Sequence, residues 1–264
     1  MTSDTGSQNL SQIAHAFVTA RKSRTALLTY PGTIPASIAE AYEVQDQAIA
    51  LYGDEVGGWK VGRINPPVDG VNRLAGPIFT DVIFDETPAP IAMPVFGEGF
   101  AAAEAEFLLR IGTAPDPAKT SYTIEEAATL LDAVHIGIEI ASSPYPGINA
   151  DGPLVTISDF GNNNGLVIGA EIPNWRDRDL NAWIVELDIN GEPIGSKTAA
   201  EMLDGPIGAA RFLFEVMAKR GIALTPGQWI SSGAVTGVHP VAVGDAVEVR
   251  FDRRLVTSCT ITAL

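Results

Sequence analysis

Glu104 and Glu106 stand one residue apart inside the apolar run Phe100–Arg110, FAAAEAEFLLR. In an extended strand, residues i and i+2 face the same side, about 7 Å apart along the backbone. Both carboxylates then point one way, and Ala103, Ala105, Phe107 and Leu109 point the other. Two carboxylates sharing one partly buried space repel each other and lose hydration. A divalent cation would remove both penalties, so the pair reads as half of a metal site. A strand with one solvated face is the plain alternative.

A third carboxylate lies in Val134–Ala141, VHIGIEIA. Val134, Ile136, Ile138 and Ile140 share one face, which leaves His135, Gly137 and Glu139 on the other, with Gly137 making room beside the glutamate. Taken alone, Glu139 reads more readily as a solvated strand glutamate than as a ligand. Three carboxylates with no thiolate nearby suit a hard ion, Mg²⁺ or Mn²⁺, with water or substrate oxygens filling the remaining positions. Zinc would prefer histidine or cysteine. His15, His135 and His239 are scattered, and only His135 has a case for facing the site.

Lys60 sits in Gly57–Gly62, GGWKVG, where glycines allow backbone or ligand to approach closely. Near three glutamates it would stay charged and could orient substrate or move protons; an exposed strand lysine is the alternative. Asp81, ending Gly76–Asp81 (GPIFTD), could partner Lys60 or occupy a turn. Asn162–Gly165 (NNNG) could offer amides to a substrate carboxylate, or form an asparagine-rich turn.

The elements that must position these groups follow from periodicity. Leu10, Ile13, Ala14 and Phe17 make one helical stripe, and Ile38, Ala41, Tyr42 and Gln45 begin another, with Pro31–Pro35 as a turn between them. From Val56 to Pro94, glycines and prolines punctuate short apolar runs, as in strands joined by tight loops. This divides the chain into an N-terminal helical segment, 1–55, and a β-rich part, 56–264. Thr123–Glu126 (TIEE) is a capping box that opens a helix. Asn190–Gly191 between apolar runs marks a hairpin. Thr198–Arg220 reads as largely helical with Pro206 interrupting it, and the tail from Gln228 alternates strands and turns. Strands outnumber helices without regular alternation, which predicts a β-rich α+β fold rather than a Rossmann or TIM arrangement. Neither a dinucleotide fingerprint, nor a phosphate loop, nor a nucleophile elbow occurs.

The 264 residues carry 32 acidic and 17 basic side chains, a net charge of −15. Such a surface repels a phosphate backbone, so nucleic acid is not an expected partner. No apolar stretch approaches the roughly 20 residues that span a bilayer, and the N-terminus lacks a signal-peptide pattern. The single cysteine, Cys259, lies in VTSCTI and reads as a small buried strand residue, not a nucleophile. With no disulfide possible, a cytoplasmic location is expected.

Together, Gly58–Gly62, the Gly-Pro-Ile-Phe-Thr-Asp run, Ala103–Phe107, Ile138–Glu139, the asparagine turn before Gly165, Thr225–Gly233 (TPGQWISSG) and Val243–Val249 (VGDAVEV) resemble the fumarylacetoacetate hydrolase superfamily. The similarity is to its hydratase branch, the 2-keto-4-pentenoate hydratases, and it runs in order along the chain. It implies a fold of layered sheets, Mg²⁺ or Mn²⁺ on Glu104, Glu106 and Glu139, an active-site Lys60 with Asp81 nearby, and a homo-oligomer, often of pentamers or decamers. Asn162, Asn164 and Ser232 are the substrate-binding candidates. Val61–Pro67 and Ser142–Gly147 depart from the commonest hydratases and are expected to shape the far end of the substrate. The implied activity is hydration of a 2-hydroxy-2,4-dienoate from aromatic degradation. The rivals are a metal-dependent 2-oxo acid decarboxylase, an acylpyruvate-type hydrolase and a non-catalytic oligomer. The hydrolase would need a histidine–glutamate lid that His15 does not supply.

Overall fold

Two helices lead the chain in the computed structural model, which describes residues 2–264: α1 (Thr2–Ser23) and α2 (Ile38–Tyr52). Ser37 caps α2 by accepting the Glu40 amide, and Gly53 closes it in the left-handed region at φ 81°, its amide donating to the Ile49 carbonyl. Strands β1 (Val56–Val68), β2 (Val71–Phe79), β3 (Ile83–Asp85), β4 (Ile91–Val95) and β5 (Phe100–Ile111) follow. The capping box at Thr123 forms as expected and starts the short α3 (Ile124–Thr129). Next come β6 (Leu131–Ser143), α4 (Pro153–Ser158) and β7 (Asn163–Glu171). The hairpin of β8 (Ile184–Ile189) and β9 (Glu192–Thr198) turns at Asn190 and Gly191, with φ 55° and 78°. Helix α5 (Gly205–Arg220) and strands β10 (Trp229–Ser231), β11 (His239–Pro240), β12 (Ala246–Phe251) and β13 (Leu255–Ala263) complete the chain.

Helix α5 is shorter than its sequence pattern suggests. Pro206 does not interrupt a helix from Thr198 but sits in the first turn of one that begins at Gly205. A proline there lacks only an amide that no intrahelical carbonyl needs, and its φ is already helical.

Two mixed sheets form the framework. The larger has the order β2-β1-β10-β5-β6-β7-β3, with β11 also pairing β5; the smaller runs β4-β13-β12-β8-β9. One face of the larger sheet (Ala103, Ala105, Phe107, Leu109, Val134, Ile136, Ile138, Ile140) packs on Val185, Leu187, Val247, Val249, Phe251 and the buried Cys259 of the smaller, and α5 adds Leu213, Phe214 and Met217. The strand periodicity therefore assigns this core face correctly. The opposite face is covered as well. Ile13 and Phe17 of α1 and Val44 and Ala48 of α2 pack on Phe79 and Phe160. The alternative of a solvated strand face fails, because Glu104, Glu106 and Glu139 are buried and Leu108 on the same face packs with Ile78, Leu166 and Ile168.

The pairing of β5 with β6 matters most for the site. In their antiparallel register Glu104 lies opposite Glu139, and Glu106 opposite Gly137. Gly137 has no room to spare for a ligand: a Cβ there would sit 2.2 Å from Leu108 Cδ1 and 2.7 Å from the Val167 carbonyl oxygen. The glycine serves strand packing instead.

Candidate metal centre

Glu104, Glu106 and Glu139 each bring an oxygen within 4.8 Å of the other two. Glu106 and Glu139 are fully buried, and Glu104 is 5 % exposed. Register explains the convergence: Glu104 and Glu139 are cross-strand partners, and Glu106 is two residues along the same face.

Each of the two fully buried carboxylates has one oxygen tied and one bare. Glu106 Oε2 accepts from Ser231 Oγ at 2.5 Å and from the Gly233 amide at 2.8 Å. Glu139 Oε1 accepts from Asn163 Nδ2 at 2.9 Å and lies 3.1 Å from Lys60 Nζ. Glu106 Oε1 and Glu139 Oε2 have no hydrogen-bond partner. Buried polar atoms are rarely left orphaned, and an acceptor-only pair facing a third carboxylate fits a cation. The donor set therefore suits a metal ion, and its all-oxygen composition suits a hard one.

The electrostatics agree. Burial lifts the Glu104 carboxyl to about 7 against the pull of Lys60, with Glu139 adding to the rise. Burial, then the charges of Glu139 and Glu104, push Glu106 well above the ordinary carboxyl range. Burial works against the Lys60 ammonium, yet Glu139, Glu104 and Glu106 together hold its pKa above the usual lysine value. Without a divalent ion, three acids and one lysine leave surplus negative charge in a buried space, and the raised Glu104 and Glu106 carboxyls reflect it.

A cavity of about 830 Å³ opens onto this cluster. Lys60, Glu104, Asn162 and Ser232 line it. Asn162 Oδ1 and Ser232 Oγ are buried and unpartnered, and Asn162 Nδ2 makes only a long 3.4 Å contact with Asn149 Oδ1. Asn162 is held at φ 67° by a tight turn in which Phe160 and Gly161 are also left-handed. This turn packs so closely that a Cβ on Gly76 would fall 2.1 Å from the Phe160 carbonyl oxygen.

Other expected positions lie elsewhere. Asp81 is exposed in the turn Thr80–Val82, outside the cavity, where burial and then the charge of Asp54 raise its pKa. It does not partner Lys60, whose carboxylate is Glu139. The turn after β2 carries it past the end of β1 rather than along it. Asn164 is committed to structure: its Oδ1 accepts from Arg21 Nη1 and its Nδ2 donates to the Pro94 carbonyl. His135 also turns away, with Nδ1 2.8 Å from the Gly169 carbonyl oxygen and its ring edge-on to Trp229. Of the two unusual segments, Val61–Pro66 lines the cavity, but Ser142–Gly147 does not. Ser142 Oγ instead donates to the Phe100 carbonyl, and Ser143 Oγ to Asp159.

Asn163, Ser231 and the Gly233 amide were not singled out by sequence. Ser231 lies opposite Leu108 in the β10–β5 register, which puts it on the face of Glu106. The signal was present in the Ser231–Ser232 pair, but the strand pairing that selects the first serine is non-local.

These sheets, helices and buried acids define an α+β layered-sheet fold with a candidate metal centre on one face of its larger sheet. No protein-family model matches the chain. It is 27% identical over 128 residues to a 4-oxalocrotonate decarboxylase from Pseudomonas sp. (strain CF600), a match spanning 48% of each protein and so about half the decarboxylase. It is 26% identical over 226 residues to 2-hydroxyhexa-2,4-dienoate hydratase from Comamonas testosteroni, covering 82% of this chain and 81% of the relative. In three dimensions it matches 4-oxalocrotonate decarboxylase from Pseudomonas putida G7, complexed with magnesium and adipate, at a TM-score of 0.78 and 19% identity over 96% of this chain and 97% of that one. Both sequence similarities agree with the resemblance that the motifs carry.

Proposed function

We propose that the chain is a metal-dependent hydro-lyase that adds water to a 2-hydroxy-2,4-dienoate, through its 2-oxo-enoate tautomer, to give a 4-hydroxy-2-oxo acid. The observation that carries this reading is the convergence of three buried carboxylates, two with a bare oxygen, beside a cavity lined by one of them, Glu104, and by Lys60. The hydratase relative supports it over most of its length.

Glu104, Glu106 and Glu139 would hold Mg²⁺ or Mn²⁺, which supplies Lewis-acid polarisation of an α-keto acid. Lys60, kept charged by its glutamate neighbours, provides an ammonium that can hold or deliver a proton as the dienol ketonises. Asn162 and Ser232 present unsatisfied polar atoms to the cavity and would hydrogen-bond the substrate there. Burial of all three carboxylates, with Leu108, Ile78, Leu166 and Ile168 packed on the same sheet face, keeps bulk water from the acids.

Loss of diene ultraviolet absorbance from 2-hydroxypenta-2,4-dienoate tests the reading. Turnover is expected with Mg²⁺, not after chelation, and is expected to vanish in Glu106→Gln. Unchanged turnover in that variant would remove the metal role of the trio, and absence of any metal-dependent turnover would leave a non-catalytic oligomer.

A second reading, decarboxylation of an oxo-diacid, is favoured by the basic side chains at the outer end of the cavity, Arg63 and Lys197. Release of CO₂ separates it from hydration. An acylpyruvate-type hydrolase gains no support, since His15 is exposed on α1 and lies outside the cavity. A homo-oligomer and a cytoplasmic location belong to the same proposal. Among the described residues no helix is long and apolar enough to cross a membrane.

A further inference from the structure

One side chain of α1 is buried where it reaches the ends of β6 and β7. Arg21, in the last turn of the helix, is 8 % exposed, and its partner Asp159 is 1 % exposed. Four hydrogen bonds leave its guanidinium. Nε donates to Asp159 Oδ1 at 2.5 Å, Nη2 to Asp159 Oδ2 at 2.9 Å and to the Ser142 carbonyl at 3.1 Å, and Nη1 to Asn164 Oδ1 at 3.1 Å. The guanidinium carbon also lies 5.1 Å from the centroid of the Phe160 ring. One planar group therefore holds both ends of the segment Asp159–Asn164. Between those anchors lie two asparagines of the site: Asn162 lines the cavity, and Asn163 donates to Glu139 Oε1.

The segment needs such anchors. Phe160, Gly161 and Asn162 hold φ at 55°, 64° and 67°. The left-handed region disfavours residues with a Cβ, and two of these three are not glycine. A run of this kind persists only where its surroundings over-determine it. Packing of Phe160 on Tyr52 and Phe79 grips the middle, and Arg21 grips the ends. We propose that Arg21 is a positioning residue for the metal centre: by tying Asp159 to Asn164 it sets where Asn163 meets Glu139 and where Asn162 meets the cavity. This role rests on the proposed reading of the three glutamates as metal ligands. A lysine in its place could neutralise Asp159, but a single nitrogen in place of a planar fork could not span both anchors.

The test is Mg²⁺ affinity by calorimetry in Arg21→Lys, alone and combined with Asn163→Leu. Alone, the lysine variant is expected to bind Mg²⁺ about tenfold more weakly, the lower end of what outer partners of a metal site contribute. In the Asn163→Leu background the same change is expected to cost less than about twofold further, because the route to Glu139 is already cut. Unchanged affinity in Arg21→Lys overturns the proposal, as do equal losses in the two backgrounds, since a purely structural ion pair would add its effect independently. If Arg21→Lys fails to fold, Asn164→Ala decides: it leaves the Arg21–Asp159 pair intact and severs the far anchor, so it too should lose Mg²⁺ affinity, and unchanged affinity overturns the proposal. Hydrogen exchange supplies a readout without metal. The peptide spanning residues 159–164 should exchange about tenfold faster in Arg21→Lys, with β5 and the middle of β6 unchanged. Should the unmodified protein bind no Mg²⁺, the metal reading fails by itself, while exchange still decides the anchoring: unaltered exchange there would mean that the packing of Phe160 suffices.

Discussion

Ser231 and Asn163 act on the cluster through single hydrogen bonds, one to Glu106 Oε2 and one to Glu139 Oε1. Each bond fixes the rotation of a carboxylate and leaves its other oxygen, Glu106 Oε1 or Glu139 Oε2, without a hydrogen-bond partner. Outer partners of this kind commonly change metal affinity by about 10–100-fold. Ser231→Ala and Asn163→Leu are therefore each expected to weaken Mg²⁺ binding by about one to two orders of magnitude. Calorimetric titration of the purified variants checks this. A wild-type affinity in both would mean that backbone geometry alone sets the carboxylates. Ser231→Thr, which keeps the hydroxyl, should recover most of the loss.

A turn and a strand meet at Gly76, and their contact carries a separate prediction. Gly76 has ordinary strand geometry, paired with Lys60 across β1–β2, so alanine is allowed by its own backbone. The obstruction is the Phe160 carbonyl group, 2.1 Å from where the Cβ would be. Gly76→Ala must therefore push back the turn that carries Asn162, at a cost of about 1–3 kcal/mol. Denaturant unfolding should show that loss, and KM should rise more than kcat falls if the turn holds substrate rather than the metal. How much of this was legible in sequence depends on whether the cause is local. The carboxylate trio was, because alternation within β5 and within β6 assigns faces without knowledge of partners. The buried core face, the capping box and the Asn190–Gly191 hairpin were legible for the same reason. Asn163 was not: three successive left-handed residues precede it, and the β6–β7 register slips between Ile140 and Ala141, so alternation counted from Asn162 chooses the wrong asparagine. Ser231 and the true position of Asp81 depend on which strands pair, and no residue pattern near them records that. Arg21 shows the same limit from the helix side. It crosses from α1 to bind Asp159 at 2.5 Å and to reach Asn164, partners 138 and 143 residues away in sequence.

Taken whole, the molecule buries three acids on one face of its larger sheet, and its stability should record their state of charge. Without metal, the Glu104 carboxyl is raised to about 7, chiefly by burial, and Glu106 is raised well above the ordinary carboxyl range for the same reason. A carboxyl whose folded pKa exceeds its unfolded value stabilises the fold while protonated. That contribution is complete below the unfolded value of about 4.5 and is lost as pH climbs through about 7. A bound cation has the opposite dependence, since it must displace those protons and then offsets the charge left behind. The rise in melting temperature on adding saturating Mg²⁺ is accordingly expected to be larger at pH 8 than at pH 6, and Mg²⁺ affinity is expected to weaken as pH falls across the same interval. In the double variant Glu104→Gln, Glu106→Gln both dependences should flatten, because the amides neither titrate nor carry charge. A metal-induced shift of equal size at both pH values in the unmodified protein would place the cation somewhere other than this cluster. Its persistence in the double variant would lead to the same conclusion by an independent route.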